Sequence, residues 1–276
     1  MVQSDQIGRL QPRHLRSFEP IRCERYAWRQ AMKFMGATWR RTGLSKAAMR
    51  AYYNDVHGPI VAQDPAEIYR YDQNVVEDAV FYHKDAHSPL TQPDGLTEFL
   101  TEDRGSFERS FKAPHMAKVA WPDTLVYADL TQAVSVAGDE ETLLSSNTPE
   151  TDLTKVIWFV LVPDDTSRHA AGYRKQLGEV LSSDALRPAG VEICRLVTEF
   201  EEPGDFIRNI FGRPGPRAVA GITLFLDRGR SWEMPELAER LIQGTNEAYD
   251  TEAFAASLLV TPTVVVDEPA PARAGE

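Results

Sequence analysis

The chain has 276 residues, of which 42% are hydrophobic and 26% are charged, a composition typical of a globular protein with a substantial core. Its 30 basic and 41 acidic residues give a net charge of −11, which disfavours binding to nucleic acid or to an anionic membrane surface. The two cysteines, Cys23 and Cys194, are too few for a disulfide framework or a structural zinc site.

The two ends of the sequence predict little folded structure. Residues 1–30 are polar without a sustained period, and they predict an N-terminal arm that lies over the folded body. They contain no apolar signal core, and no run in the sequence is long enough to span a membrane, so we expect a cytoplasmic protein. Residues 269–276 are rich in proline and alanine and predict a disordered tail.

The first half of the chain, residues 31–143, predicts elements in the order βαββαβ. Ser45 is the predicted N-cap of the first helix, and Pro114 and Pro122 divide the second helical stretch into pieces. The predicted elements are a strand over 32–40, a helix over 45–57, a strand over 68–76, a loop over 78–95, a strand over 96–101, helical pieces from 107 to 119 and a strand over 132–136.

The second half, residues 155–268, repeats this order after a Ser/Thr/Pro-rich linker over residues 144–154. Its first helix is expected to be capped by Thr166 or Ser167. The predicted elements are a strand over 156–162, a helix around 173–181, a strand over 191–200, a loop over 206–215, a strand over 218–226, a helix over 235–249 and a strand over 254–266.

A βαββαβ unit forms a four-stranded antiparallel sheet with both helices on one face, so its other face must be covered. Two such bare faces packed on each other bury both. The sequence therefore predicts an α+β protein of tandem ferredoxin-like repeats that form a pseudo-dimeric α+β barrel within one chain. Because the barrel is satisfied internally, we expect a monomer, or a homodimer that uses outer surfaces.

The motif residues of the first half resemble those of the EthD family. They are Gly43-Leu44-Ser45 after a strand that ends in arginine, then Tyr52-Tyr53, and then His57-Gly58-Pro59. The next strand of the family often reads Tyr-x-Gln-Asn-His, and here it is Tyr71-Asp72-Gln73-Asn74-Val75, which lacks the final histidine. The resemblance implies the dimeric α+β barrel fold, in which two ferredoxin-like sheets surround a pocket, and a loosely defined enzymatic or accessory function.

His57 is the predicted proton-transfer group, because an imidazole near neutral pKa can accept and return a proton without a cofactor. The glycine and proline that follow it predict that the helix ends there. Tyr53 lies one helical turn earlier on the same face and is expected to orient a substrate oxygen. Tyr52 points away from that face and is expected to pack.

Five residues are predicted to bind substrate. Arg40, at the end of the first strand, is expected to pair with a carboxylate or phenolate, while aromatic and polar side chains on neighbouring strands suit a flat ring. The predicted substrate-binding residues are Arg40, Trp39, Tyr71, Asn74 and His115. Side-chain alternation places Tyr71 and Asn74 on opposite faces unless the strand bulges.

Other kinds of site find little support in the sequence. His83 and His87 have the spacing of two metal ligands on a helix, but they lie among proline and aspartate residues, and no metal site is predicted. No P-loop, GxGxxG motif or nucleophile elbow occurs. In the second half the position of His57 falls on Leu177, so we expect one site per chain.

These observations predict a lyase or isomerase that needs no cofactor. The expected reaction is decarboxylation, dehydration or rearrangement of a hydrophobic aromatic or phenolic carboxylic acid. One alternative is a non-catalytic binding or accessory protein of a catabolic or polyketide pathway. A second is a haem-dependent oxidoreductase with a histidine as the axial ligand.

Overall fold

The computed structural model describes residues 31–82, 92–163, 173–198, 217–230, 232, 234–249 and 253–268. Several sequence predictions lie outside these residues. They concern the N-terminal arm, His83 and His87, the helix cap at Thr166 or Ser167, the loop over 206–215 and the C-terminal tail. The proposed domain boundaries stay a prediction.

Eight antiparallel strands form one closed barrel in the order β1-β3-β2-β8-β5-β7-β6-β4. The strands are β1 (Met32–Arg40), β2 (Arg70–Tyr82), β3 (Gly95–Thr101), β4 (Ala128–Leu144), β5 (Thr154–Val162), β6 (Val191–Thr198), β7 (Arg217–Leu226) and β8 (Phe254–Asp267). The order contains two ferredoxin-like sheets, β4-β1-β3-β2 and β8-β5-β7-β6, which confirms the predicted tandem pseudo-dimeric barrel.

The helices lie on the outside of the barrel, between strands of their own half. The first half has α1 (Lys46–Tyr52), a π-helical turn (Tyr53–His57), α2 (Gly58–Ala62), α3 (Arg104–Lys112), a second π-helical turn (Met116–Ala120) and α4 (Trp121–Tyr127). The second half has α5 (Tyr173–Val180), α6 (Ser183–Leu186) and α7 (Pro235–Tyr249). Short 3₁₀ helices cover Glu150–Asp152 and Arg187–Ala189.

The two sheets are hydrogen-bonded edge to edge, in addition to facing each other as predicted. We call the two joining ladders seams: one pairs β2 with β8, and the other pairs β4 with β6. The seams account for two corrections to the sequence analysis. β2 continues to Tyr82, where a loop from residue 78 is predicted, and β4 covers 128–144 instead of 132–136. These extensions pair edge groups that a four-stranded sheet leaves open.

The seams relate the two halves by a pseudo-twofold axis. Asn74 of β2 pairs with Pro262 of β8, and the matching pair at the other seam is Val197 of β6 with Glu140 of β4. The neighbouring pairs in both ladders keep the same correspondence. Residues of the first half therefore have defined counterparts in the second, and Lys33 corresponds to Lys155.

Apolar side chains from all eight strands fill much of the barrel interior, Met35, Ile157 and Phe159 among them. Two further clusters cover the outer faces. In the first half, Phe34 and Phe99 pack under Phe107 and Phe111 of α3. In the second half, strand residues pack against α5 and α7.

Charged side chains occupy one end of the barrel interior, where they link the two halves. Lys33 Nζ lies 2.7 Å from Glu98 Oε1 and 2.7 Å from Glu140 Oε1. Lys155, from the second half, pairs with the other oxygen of Glu98 and lies 3.7 Å from Asp72 Oδ2. Burial raises the pKa of Glu98, but Lys155 and Lys33 outweigh it and hold that pKa below its usual range.

Replacing Glu98 by glutamine should destabilise the fold by about 3–5 kcal/mol, because two buried lysines lose their shared carboxylate. In the parent, the lowered pKa of Glu98 adds stability that is present above the unfolded-state pKa and is lost as the pH falls toward the folded-state value. Glu98→Gln should therefore also flatten the acid side of the stability profile, measured by urea unfolding at several pH values. Glu67→Gln, at the exposed pair with Arg109, is the matched control and should change Tm little.

Gly138 allows the close approach of the two halves at the β4–β6 seam. A Cβ atom at this position would lie 1.7 Å from the backbone oxygen of Thr198 on β6. Gly138→Ala should therefore lower stability by about 3 kcal/mol. The new Cβ would meet a backbone atom, which cannot move aside as a flexible side chain can.

Gly178 on α5 is the matched control, because a Cβ there meets no atom within 4 Å. Gly178→Ala should stabilise the protein slightly through the better helix propensity of alanine. Thermal melts of both variants test the contrast, and equal effects would contradict the close approach at the seam.

Candidate active site

The helical segment that carries His57 does not end at His57-Gly58-Pro59, which corrects the sequence prediction. α1 begins at the predicted N-cap, Ser45, and continues through the π-helical turn into α2. Pro59 is tolerated because it occupies the first turn of α2. Gly58 serves close packing instead, since a Cβ there would lie 2.6 Å from Oε1 of Gln73 on β2. His57 thus lies inside a continuous helical segment.

A cavity of about 60 Å³ lies between this helical layer and the outer face of the first-half sheet. The described residues that line it all belong to the first half. Apolar groups dominate this part of the wall, the hydroxyl groups of Thr38, Thr97 and Ser135 lie on the sheet side, and no Asp, Glu, Lys or Arg is among the described lining residues. The lining residues are Phe34, Gly36, Ala37, Thr38, His57, Val61, Thr97, Phe99, Phe111, Met116, Ala120, Trp121, Thr124, Tyr127, Leu130, Ala133, Val134 and Ser135.

His57 is held in place by Asp123 of α4. The Nδ1 atom of His57 lies 2.8 Å from Oδ2 of Asp123, and the Tyr52 hydroxyl donates to Oδ1 of the same carboxylate over 2.6 Å. Since a carboxylate only accepts, Nδ1 carries the hydrogen and Nε2 is the basic nitrogen of neutral His57. Asp123 and Tyr52 therefore fix both the tautomer and the ring position of the histidine.

Burial lowers the pKa of His57, and the hydrogen bond and charge of Asp123 oppose that shift without reversing it. His57 is 5% exposed, which explains why burial outweighs the carboxylate. The hydrogen bond to Asp123 raises the pKa of Tyr52 to about 12, so the phenol stays protonated and keeps donating. At neutral pH the site thus presents an uncharged imidazole, ready to accept a proton.

Tyr53 lies beside His57 but does not line the cavity. The two rings stack with centroids 6.2 Å apart, and the Tyr53 hydroxyl is 2.7 Å from Oγ1 of Thr97. Tyr127 contacts the histidine more closely, at a ring-centroid distance of 4.9 Å. Tyr53 is therefore in position to support Thr97, a lining residue, rather than to touch a ligand itself.

The structure does not bring the predicted substrate-binding residues together at this cavity. Arg40 pairs with Asp94, and its side chain is 43% exposed. Trp39 is buried in the barrel interior, and Asn74 donates there to Glu98 Oε2 over 2.8 Å. Tyr71 packs on Phe99 in the layer under the helices, so it does face opposite to Asn74, as predicted.

His115 lies near the cavity, but its ring nitrogen is already engaged. Nε2 of His115 is 2.7 Å from the backbone oxygen of Ile60, which ties the second helical region to α2. Among the seven predicted site residues, only His57 lines the cavity.

Sequence reasoning missed Asp123, and it assigned Tyr52 to packing alone. Asp123 follows Pro122 in a segment without a recognisable motif, and it is 66 residues away from His57 in the chain. The only sequence signal was indirect: proline at the start of a helical piece predicts a new helix, and an acidic residue in its first turn is common.

The lining residues do not fit a haem group. The cavity as it stands is too small for a porphyrin, and the described residues of its wall include no lysine or arginine to pair with the two propionates. Within the described part of the chain, no three His, Cys, Asp or Glu side chains converge as metal ligands. The helices of that part also include none that is both long and apolar enough to cross a membrane.

Comparison with known proteins finds one family model that matches part of the chain. Residues 41–131 match the family model of the EthD domain. The first half of the chain therefore carries an EthD domain, which confirms the resemblance drawn from the motif residues, and no curated protein matches the chain.

Known structures share the fold at low sequence identity. An anthrone oxidase-like protein is 9% identical over 90% of this chain and 98% of its own, with a TM-score of 0.54. A candidate monooxygenase from Lactobacillus acidophilus is 12% identical over 87% and 98% of the two chains, with a TM-score of 0.41. A mutant chlorite dismutase from Candidatus Nitrospira defluvii is 6% identical over 84% and 90%, with a TM-score of 0.42.

Asp123→Asn should lower the pKa of His57 further, because the variant removes the charge and the hydrogen bond that oppose the effect of burial. The measurement is an NMR titration of the His57 ring signals in parent and variant. Tyr52→Phe is the control: it keeps the Asp123 carboxylate, so His57 should still titrate as an imidazole paired with Asp123. An unchanged pKa in Asp123→Asn would show that the two side chains do not interact in solution.

Proposed function

We propose that the protein is a cofactor-independent enzyme of the lyase or isomerase type, in which His57 moves a proton on a neutral phenolic or other aromatic substrate. The observation that carries the proposal is the buried His57–Asp123 pair at the wall of an aromatic, uncharged cavity. The EthD domain and the shared fold agree with an enzyme of small hydrophobic molecules, but they do not select the reaction.

The chemistry follows from the free basic nitrogen. Nε2 of His57 removes a proton from a carbon next to a carbonyl group, and the resulting imidazolium is stabilised by Asp123. In a dehydration, the electron pair forms a C=C bond, the C–OH bond breaks, and the imidazolium returns the proton to the departing hydroxide as water. In an isomerisation, the same proton returns to a different carbon. No oxidant or reductant is consumed in either case.

The charge of the wall narrows the substrate class. Among the described residues, none that lines the cavity is a lysine or arginine that could pair with a carboxylate, and Arg40 is paired with Asp94 outside it. An unpaired buried carboxylate is strongly disfavoured. The hydroxyl groups of Thr38, Thr97 and Ser135 suit a phenol or ketone instead. The proposal therefore favours dehydration or isomerisation of a neutral compound over decarboxylation of an acid.

His57→Ala should lower kcat by roughly 10²–10⁴-fold, the usual contribution of a general acid–base group, with a much smaller change in KM. A suitable probe is 3-hydroxy-1-tetralone, which becomes 1-naphthol on losing water and can be followed by absorbance. Phenolic ketones of one to three rings, an anthrone included, complete the panel. In the parent, kcat/KM should fall as the pH drops through the His57 pKa, below its usual value near 6.5.

His57→Gln is the matched variant, since it keeps size and hydrogen bonding but removes basicity. Near-parent activity in this variant would reject the proton-transfer role. Asp123→Asn should retain part of the activity and shift the pH profile downward, as expected of a positioning residue. Tight binding of the probes without turnover by the parent would instead establish a non-catalytic ligand-binding protein.

A further inference from the structure

The pseudo-twofold axis gives the cavity a counterpart in the second half. On the helix-facing side of the first-half sheet, Gly36 pairs with Thr97 and Ser135. The matching residue of the second half is Trp158, which pairs with Ile222 and Ser257. The second half thus has a serine at the position of Ser135, an isoleucine at that of Thr97 and a tryptophan at that of Gly36. The same cross-barrel correspondence that places Lys33 opposite Lys155 fixes these assignments.

The indole of Trp158 fills the counterpart position. Trp158 is fully buried and belongs to the same cluster as Leu177, the residue that the sequence alignment of the halves places at the position of His57. Neither the Trp158 Nε1 atom nor the Ser257 hydroxyl has a hydrogen-bond partner. A buried polar group without a partner is costly. We infer that this part of the second half keeps the polar features of a ligand site, and that the Trp158 side chain occupies that site.

In the first half, the corresponding space is taken by the Phe34 ring and by the cavity. Gly36 has no side chain, and a Cβ built there would lie 2.8 Å from Cζ of the Phe34 ring. The far end of the Phe34 side chain therefore lies over Gly36, where it covers the floor of the cavity. The cavity of about 60 Å³ is smaller than the ~150 Å³ that accommodates benzene in a protein core. A ring can therefore enter only if part of the wall moves, and Phe34 is the side chain of the wall that lies over Gly36.

We propose that the ligand of the His57 site carries a fused bicyclic aromatic ring, which lies over Gly36 in the place that the Trp158 indole takes in the second half. Phe34 swings aside to admit it, and a ring substituent with a hydroxyl or carbonyl group faces Ser135 and Thr97. Gly36 is then the specificity-determining residue. This inference deepens the proposed function and rests on it, but it concerns where the ligand binds and not what reaction follows.

The first test is the binding of phenol and of 2-naphthol to the parent and to Gly36→Trp, measured by calorimetry. The parent should bind 2-naphthol about tenfold more tightly than phenol, because the second ring buries additional apolar area. Gly36→Trp should lose most of this binding. Gly244→Trp on α7 is the matched control, since a Cβ there meets no atom within 4 Å. If Gly36→Trp does not fold, as judged by its melt, Gly36→Leu replaces it.

The second test moves the cavity across the barrel. The double variant Gly36→Trp/Trp158→Gly fills the first-half site and vacates its counterpart. Indole should raise the Tm of this double variant and leave that of Gly36→Trp unchanged, as expected for a ligand that binds only the folded form. A double variant that is stable but indifferent to indole would reject the equivalence of the two positions.

The outcomes separate this inference from the proposed function. Folded Gly36→Trp that binds 2-naphthol like the parent would overturn the proposed ring position, whatever the activity of the enzyme. A parent that binds 2-naphthol through Gly36, but shows no His57-dependent turnover of the tetralone, would reject catalysis and support the ring position. Failure of the parent to bind any aromatic probe would overturn both.

Discussion

One buried carboxylate holds the two halves of this molecule together. Glu98 faces the barrel interior and pairs with Lys33 of its own half and Lys155 of the other. Lys155 of the second half finds its carboxylates, Glu98 and Asp72, in the first half, and a buried charge without a partner is far more costly than a lost surface pair. The two seams add backbone pairing along both edges of each sheet. With the inner faces closed in this way, the outer faces carry the helices, and the candidate cavity lies under the helices of the first half.

The candidate site depends on how closely the helical layer approaches the outer face of the first-half sheet. Gly58 lets the helix descend onto Gln73, whose side chain donates to the Tyr53 backbone oxygen over 2.7 Å. The π-helical turn at this point carries His57 toward α4, where Asp123 meets it. The site is thus built from backbone irregularities and one long-range hydrogen bond between His57 and Asp123 on a regular sheet. Its electrostatic character is local, since no described residue of the wall is an Asp, Glu, Lys or Arg.

The sequence was sufficient for the fold and for singling out a histidine that lines the cavity, but not for the partners of His57. Alternating strands and repeated element order predict the tandem barrel, because both depend on local patterns that the sequence displays directly. The seams were not foreseen, since the strand extensions in β2 and β4 are stabilised by pairing with the other half. Asp123 was missed for the same reason: its role arises from the packing of α4 on the first π-helical turn, and no local pattern encodes that contact. In the His57-Gly58-Pro59 motif, the glycine serves close packing instead of ending the helix.

The charged end of the barrel shows what tandem duplication allows. Glu98 has Thr223 as its counterpart across the pseudo-twofold axis, while the two lysines on either side of it are alike. In a homodimer of identical chains, strict symmetry would bring two glutamates to these places, and any tryptophan that filled one pocket would fill both. A single chain with two different halves is free of this symmetry constraint. It can place one central carboxylate between two lysines, and it can give up one pocket to strengthen its core while the other stays open.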